Sequence, residues 1–228
     1  MVTGGCATNG GKSGARQRVQ QGDARQLARA FEPPAPTVVI TDPVWPNRAE
    51  ELFPGVDAAE LLHDVLTALI GKVSHVVLHL GCTTDPRFTR AVPEHWPFWR
   101  TCWLDYQIPA RRGCTLIGSD IAYVYGKQRY PEGARILPGR CIANGRLGQG
   151  RTAHPCPRDI DHVRWLVRWC SLPGELVLDP FAGSGTTLVA AKEHGRSAEG
   201  WEVDASYCEL ARGRLAQREL FEHGTLTP

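Results

Sequence analysis

Residues 178–191 read LDPFAGSGTTLVAA. An apolar run drives into Asp179 and Pro180, a loop of small residues follows, and Thr186 opens an apolar stretch at helical spacing. A strand, a glycine turn and a helix are predicted in that order. Such a turn brings a carboxylate and the free amides of a helix N-terminus to one point, which suits a polar or anionic ligand group. Gly183 and Gly185 let that ligand approach the backbone closely. The full G-x-G-x-x-G of dinucleotide sites is missing, and so is the lysine of a phosphate loop. Twenty-three residues beyond Asp179 a further short run, AEGWEVD (198–204), ends in acids, and Glu202 or Asp204 is then placed to accept ribose hydroxyls. The layout is that of a nucleoside-type cofactor site. An ordinary strand-to-helix turn is the plainer alternative.

Working outward, apolar runs alternate with helical patterns. PTVVITD (36–42), SHVVLHLG (74–81), FWRTCWLDYQI (98–108) and SDIAYVYGK (119–127) read as strands, the last two separated by the polar turn ARRGC. Residues 24–31, 57–70, 159–170, 186–195 and 205–220 read as helices. In 57–70, Leu61, Leu62, Val65, Leu66 and Leu69 share one face and Gly71 supplies a stop. Strands alternating with helices predict an α/β fold with a mainly parallel, twisted sheet and helices on both faces. Ligands of such sheets bind outside the carboxyl ends of the strands.

A second strand end stands out in TVVITDPVWPN (37–47), where a run of β-branched residues leads into Asp42-Pro43-Val44-Trp45-Pro46. A carboxylate, rigid backbone and an aromatic ring at a strand end describe either a stop followed by a turn or the wall of a pocket.

The string HPCPR…LVRWCSLPGELVLDPFAGSGTTLVAAKEHGRSAEGWEVDASYCELARGRL resembles the C-terminal half of the DNA amino-methyltransferases. These enzymes methylate exocyclic amines of adenine or cytosine with S-adenosylmethionine (AdoMet). The resemblance is to the circularly permuted β class, in which the catalytic motif precedes the cofactor motif. TDPVWPN stands where that class carries Asp/Asn/Ser-Pro-Pro-aromatic, and GDARQLARAF resembles its upstream Gly-Asp element. The similarity runs from about Gly22 to Leu215 and is most specific over 153–215. It implies a Rossmann-like AdoMet-dependent fold. It implies further that Asp179, Phe181, Gly183, Ser184, Gly185, Thr186 and Thr187 line the cofactor, that Glu202 holds its ribose, that Asp23 lies near its adenine, and that His154 and Pro155 sit beside it. Asp42 is the expected acceptor for the target amine, the Pro43 carbonyl the second acceptor, and Trp45 the platform on which a flipped base stacks. An exocyclic amine is a poor nucleophile because its lone pair is delocalised into the ring; two acceptors on its hydrogens draw it towards tetrahedral geometry. Transfer is then a direct displacement favoured by positioning and electrostatics.

Two departures matter. Val44 replaces the second proline of the motif and releases a fixed φ, and Arg158 stands where the class has Lys, with no proline after it. Charge is kept there while the donor geometry changes. Asp at the first catalytic position leans towards adenine N6. Cytosine N4 is the runner-up, followed by an AdoMet- or DNA-binding relative without catalysis, and by methylation of RNA or of a protein amide.

From Lys127 to Arg158 there are seven basic residues, and Glu132 is the sole acid. The stretch is rich in Gly and Pro. Residues 127–153, with 105–118 alongside, are the expected duplex-DNA recognition segment, with Arg111, Arg112, Arg129, Arg135, Arg140 and Arg146 as contacts to phosphates or guanine edges. A solvated basic loop is the alternative. The segment is short, which predicts a short target or loose specificity.

In domain terms, residues 1–18 are expected to be a disordered tail, 19–126 the catalytic half and 154–220 the AdoMet-binding half of one domain in the 228-residue chain. GGKS at 10–13 fails as a phosphate loop, because Cys6 takes the place of the first glycine and no strand precedes it. The eight cysteines show no metal-like spacing, so no metal is expected, and without a secretory signal they read as reduced cytoplasmic thiols. Cys156, in Pro-Cys-Pro, lies off any strand end and is not expected to act as a nucleophile. Trp165, Trp169, His75 and His79 read as packing residues. No run is long enough for a membrane span. A homodimer, the state of many relatives, is neither indicated nor forbidden.

Overall fold

A computed structural model describes residues 15–44, 55–129, 136–146 and 158–217 (side chains of 112, 145 and 146 excepted). Eight strands form one sheet: β1 Gln17–Gln21, β2 Thr37–Thr41, β3 His75–Gly81, β4 Phe98–Arg112, β5 Thr115–Tyr125, β6 Arg140–Arg146, β7 Leu176–Asp179 and β8 Ser197–Glu202. Among the described residues five α-helices accompany them: α1 Ala24–Ala30, α2 Ala58–Ala68, α3 Ile160–Cys170, α4 Thr186–Glu193 and α5 Ala205–Ala216.

The strand order is β1-β8-β7-β2-β3-β5-β4-β6. The first five are mutually parallel. β5 runs antiparallel to both β3 and β4, and β6 lies parallel to β4. The sheet is therefore mixed rather than uniformly parallel, because a hairpin extends it beyond β3. β2, the catalytic candidate, lies directly beside β7, the cofactor candidate, although Asp42 and Asp179 are far apart in the chain.

The continuous apolar runs of β2, β3 and β7 reflect burial on both faces. On one face Val39, Val76, Leu78, Leu176, Leu178 and Trp201 pack with Leu62, Val65, Leu66 and Leu69 from and just beyond α2. On the other, Val38, Ile40, Val77, Val177 and Ala198 pack with Val163, Leu166 and Val167 of α3 and Leu188 of α4. No helix among the described residues is long and apolar enough to cross a membrane.

Two expectations need correction. β1 opens at Gln17, so residues 17 and 18 belong to the sheet and not to a disordered tail. β6 occupies 140–146, so part of the basic segment is an ordered edge strand. Among the described residues each of these strands has a single neighbour in the sheet, at one end of the strand order, and both are rich in polar residues.

Candidate active site

The carboxyl ends of β2, β7 and β8 gather the acidic residues singled out above. At the end of β7, Asp179 is buried and accepts from Thr41 Oγ1 at 2.7 Å and from the Phe181 amide at 3.2 Å. Thr41 immediately precedes Asp42, so one hydroxyl ties the two strand-end motifs together. Burial raises the Asp179 carboxyl to about 6, against the pull of the Thr41, Thr187 and Phe181 hydrogen bonds, with the negative charge of Asp42 adding to the rise.

The glycine loop turns over this carboxylate. Gly185, at φ +80°, is the N-cap of α4, and a Cβ there would lie 2.8 Å from Ala211 Cβ, so both conformation and space call for glycine. At the end of β8, Glu202 accepts from the Gly183 amide through Oε2 at 2.8 Å and from the Asp204 amide through Oε1 at 2.9 Å. Its carboxylate braces the loop. Asp204, the other acid considered for the ribose, caps α5 by accepting from the Ser206 and Tyr207 amides. Asp23 caps α1 and is paired with Arg25, and the neighbouring Gly22 amide donates to the Glu202 carbonyl at 2.9 Å, which brings this turn to the end of β8. Ser184 and Thr186 oxygens accept from Arg214 of α5, which clamps the loop from outside.

At the end of β2, Asp42 is fixed by a residue that sequence reasoning treated only as a substituted lysine. Arg158 donates Nε to Asp42 Oδ2 and Nη2 to Asp42 Oδ1, both at 2.8 Å, in a two-pronged fork. Its third nitrogen, Nη1, donates to Asp120 Oδ2 of β5 at 2.7 Å. Tyr106 Oη of β4 donates to that oxygen at 2.7 Å, and His79 Nε2 of β3 lies 3.4 Å away. Burial works against ionisation of Asp120, but His79, Arg158 and Tyr106 together hold its carboxyl below the usual range. Burial, then the charge of Arg158, lowers His79 below its ordinary value, against the pull of Asp120. The strands that deliver Asp42, His79 and Asp120 are consecutive in the sheet, but nothing in sequence spacing announces their meeting.

His79, Asp120 and His162 bring their ligand atoms within 4.8 Å of one another, a combination that resembles a metal site. The Asp120 oxygen facing the group is already occupied by Tyr106 and Arg158, and the adjacent guanidinium opposes a further cation. Asp120, held by Tyr106, is the hydrogen-bonded support for Arg158. His79 packs beside it, its Nε2 3.4 Å from the carboxylate.

Val44, in the place of the second proline, is half-buried against the α2-side core, so side-chain packing docks the chain at that position. Trp45, His154 and Arg135 lie outside the described residues.

The basic segment divides. Arg129 turns inward: it ion-pairs with Glu175 and donates to the Cys170 carbonyl, and both partners of the pair are largely buried. It is removed from the expected DNA contacts because burying this guanidinium required a carboxylate partner. Arg140 is exposed and holds Asp105 at 3.1 Å. Arg111 is exposed on β4 and donates to the Gly113 carbonyl at 2.9 Å. Arg112 ends β4, and Arg146 ends β6 opposite Ile108. Arg111, Arg112, Arg140 and Arg146 thus belong to the β4 and β6 strands at one margin of the sheet.

Residues 40–213 match the family model described as DNA methylase (N6_N4_Mtase), well over half of the chain. The Type II methyltransferase M.ScaI of Streptomyces caespitosus is 40% identical over 65 residues, 28% of this chain and 21% of that protein. The Type II methyltransferase M.HindIII of Haemophilus influenzae is 27% identical over 172 residues, 67% of this chain and 54% of that protein. The chain thus spans about a fifth to about half the length of these curated relatives. In fold it is similar to the crystal structure of the M1.HpyAVI–SAM complex, with a TM-score of 0.65 at 19% identity over 88% of this chain and 100% of that one. The matched region contains the β2 and β7 strand ends and the glycine loop between β7 and α4, and on that match this chain belongs to the N6/N4 DNA methylase family.

Proposed function

We propose that this protein transfers a methyl group from AdoMet to the exocyclic N6 of adenine in duplex DNA. The observation that carries the reading is the Thr41–Asp179 hydrogen bond, which locks the DPVW strand end against the DPFAGSG strand end, so that an amine acceptor and a cofactor loop share one edge of the sheet. The names of the relatives and the SAM complex among similar folds support AdoMet-dependent methyl transfer, the part of the reading common to both amines.

In this reading the glycine loop would hold the cofactor, with Glu202 and Asp23 for its nucleoside and Asp179, Phe181, Gly183, Ser184, Gly185, Thr186, Thr187 and His154 as the other residues expected to bind it. The target base leaves the helix and stacks on Trp45, while Asp42 and the Pro43 carbonyl accept its two amine hydrogens. The amine lone pair attacks the methyl carbon and the carbon–sulfur pair returns to sulfur. The nitrogen, cationic after attack, then releases one proton through Asp42 to solvent. Arg111, Arg112, Arg140 and Arg146 follow the phosphates. Cytosine N4 is the second reading, since the matched family covers both amines.

The test is methyl transfer from labelled AdoMet to mixed-sequence duplex DNA, with the product digested to nucleosides and identified by mass spectrometry. N6-methyldeoxyadenosine supports the proposal and N4-methyldeoxycytidine replaces it with the second reading. Asp42→Ala is expected to abolish transfer while AdoMet still binds, and Glu202→Ala to weaken cofactor binding first. Equal loss of both functions in both variants would refute the division between the two strand ends.

A further inference from the structure

We propose that Arg158 is a positioning residue for methyl transfer: it holds the Asp42 carboxylate in the orientation that receives the target amine, and Asp120 holds Arg158. The inference rests on the functional reading above and assigns a role that the strand-end motif alone does not contain.

The geometry is a chain of anchors. All three Arg158 nitrogens that point away from its stem are engaged, two on Asp42 and one on Asp120. Its side chain is 7% exposed, whereas that of Asp42 is 29% exposed. The fork therefore grips Asp42 from its buried side, while the Asp42 side chain keeps part of its exposure. Each carboxylate oxygen has a second lone pair, so accepting from Arg158 does not use up its capacity to accept from an amine. A bidentate fork fixes the plane of the carboxylate as well as its place, which one point charge does not do. The stem cannot swing out easily, because Asp120 is itself pinned by Tyr106 and lies in the middle of the sheet. With Val44 in place of a stiffening proline, the strand end has lost one backbone restraint, and the fork supplies a side-chain restraint on the same residue.

Lysine at 158 would keep the charge but could not span both carboxylates with three aligned donors. Arg158→Lys is therefore expected to lower kcat by about 10- to 100-fold, the order of loss for a reacting group displaced by a fraction of an ångström to an ångström. KM for DNA and the dissociation constant for AdoMet should stay within about threefold of the wild-type values, since neither ligand is bound by Arg158. Arg158→Ala should lose more, and added methylguanidinium should restore part of its activity by refilling the vacated space. Methylguanidinium should do nothing for Asp42→Ala or for the protein that carries both Asp42→Ala and Arg158→Ala. Asp120→Asn, which weakens the rear anchor, should fall between wild type and Arg158→Ala in kcat.

The measurements are steady-state methyl transfer on duplex DNA, AdoMet titration by calorimetry, and circular dichroism for folding. An Arg158→Lys protein with wild-type kcat overturns the proposal. So does a loss carried entirely by KM or AdoMet affinity, and so does a folded Arg158→Ala protein that methylguanidinium leaves unchanged. If Arg158→Ala does not fold, the Lys and Asp120→Asn variants decide by the kcat criterion alone. A wild-type protein that methylates no base overturns the functional reading and this inference with it. A wild-type protein that methylates while its Arg158 variants match it overturns the inference alone.

Discussion

Replacing Asp179 by Asn should stabilise the ligand-free protein and weaken its hold on AdoMet. The carboxyl is buried and carries a native value of about 6 against an ordinary 3.8. At about 1.4 kcal/mol per unit, that gap amounts to roughly 3 kcal/mol of destabilisation once the group is ionised. The sign follows from proton counting. Between about 3.8 and 6 the native state binds more protons than the unfolded chain, so this group's contribution falls as pH rises through that window and stays low above it. Asn keeps an oxygen that can accept from Thr41 Oγ1 and the Phe181 amide. The variant should therefore exceed wild type by up to about 3 kcal/mol at pH 8 and by progressively less towards pH 5. Urea denaturation of both proteins at several pH values measures this, and the difference between them removes the contribution of other titrating groups. AdoMet carries a sulfonium and an ammonium cation and should bind the ionised carboxylate, so wild-type affinity should weaken below about pH 6. In Asp179→Asn affinity should drop about 10- to 100-fold at pH 8, the worth of a hydrogen bond to a charged group, and lose that pH dependence. A ligand-free Asp179→Asn protein less stable than wild type at pH 8 would refute the reasoning, because it would mean that the carboxylate is well solvated or paired in the fold.

The two kinds of arginine in the basic segment should separate cleanly. Arg129→Ala leaves Glu175 buried without its partner and should cost about 3–5 kcal/mol in denaturant unfolding, with no change in the salt dependence of DNA binding. Arg140→Ala removes an exposed side chain and should change stability by less than about 1 kcal/mol, while lowering the slope of log K against log salt by about one in gel-shift titrations. Gly200→Ala would put a Cβ 2.7 Å from Leu188 Cδ1 and 2.8 Å from Ala182 Cβ, and should cost about 1–3 kcal/mol of stability and loosen AdoMet binding by displacing the glycine loop.

What the sequence made legible follows how each feature is encoded. The inner strands β2, β3 and β7 are buried on both faces and announce themselves as apolar runs. The edge strands β1, QRVQQ, and β6, RCIANGR, have one neighbour each among the described residues, and their polar composition matches that of loops, so no apolar run announces them. The glycine loop was legible because its chemistry is local, within a few residues of Asp179. The Arg158–Asp42 fork spans 116 positions and was not. Arg129 was misassigned for a related reason: a count of charges along the chain cannot see that Glu175, 46 positions away, folds against it.

Asp42 and Asp179 end adjacent strands and are both linked to Thr41, one through the chain and one through its hydroxyl. Their electrostatic settings nevertheless differ. The charge of Asp42 is offset by a guanidinium that is itself shared with Asp120. Asp179 has no cationic partner among the described residues, and burial raises its proton affinity. A positively charged cofactor therefore gains more by approaching Asp179, where it relieves an uncompensated buried charge, than by approaching Asp42, whose countercharge is already in place. A neutral amine gains less from an uncompensated charge than a cation does and more from an aligned acceptor, which the forked Asp42 carboxylate provides. On the proposed reading, this difference sorts sulfonium and base into their own sites along one sheet edge before any shape recognition, and the fork on Asp42 serves that sorting as well as the geometry of transfer.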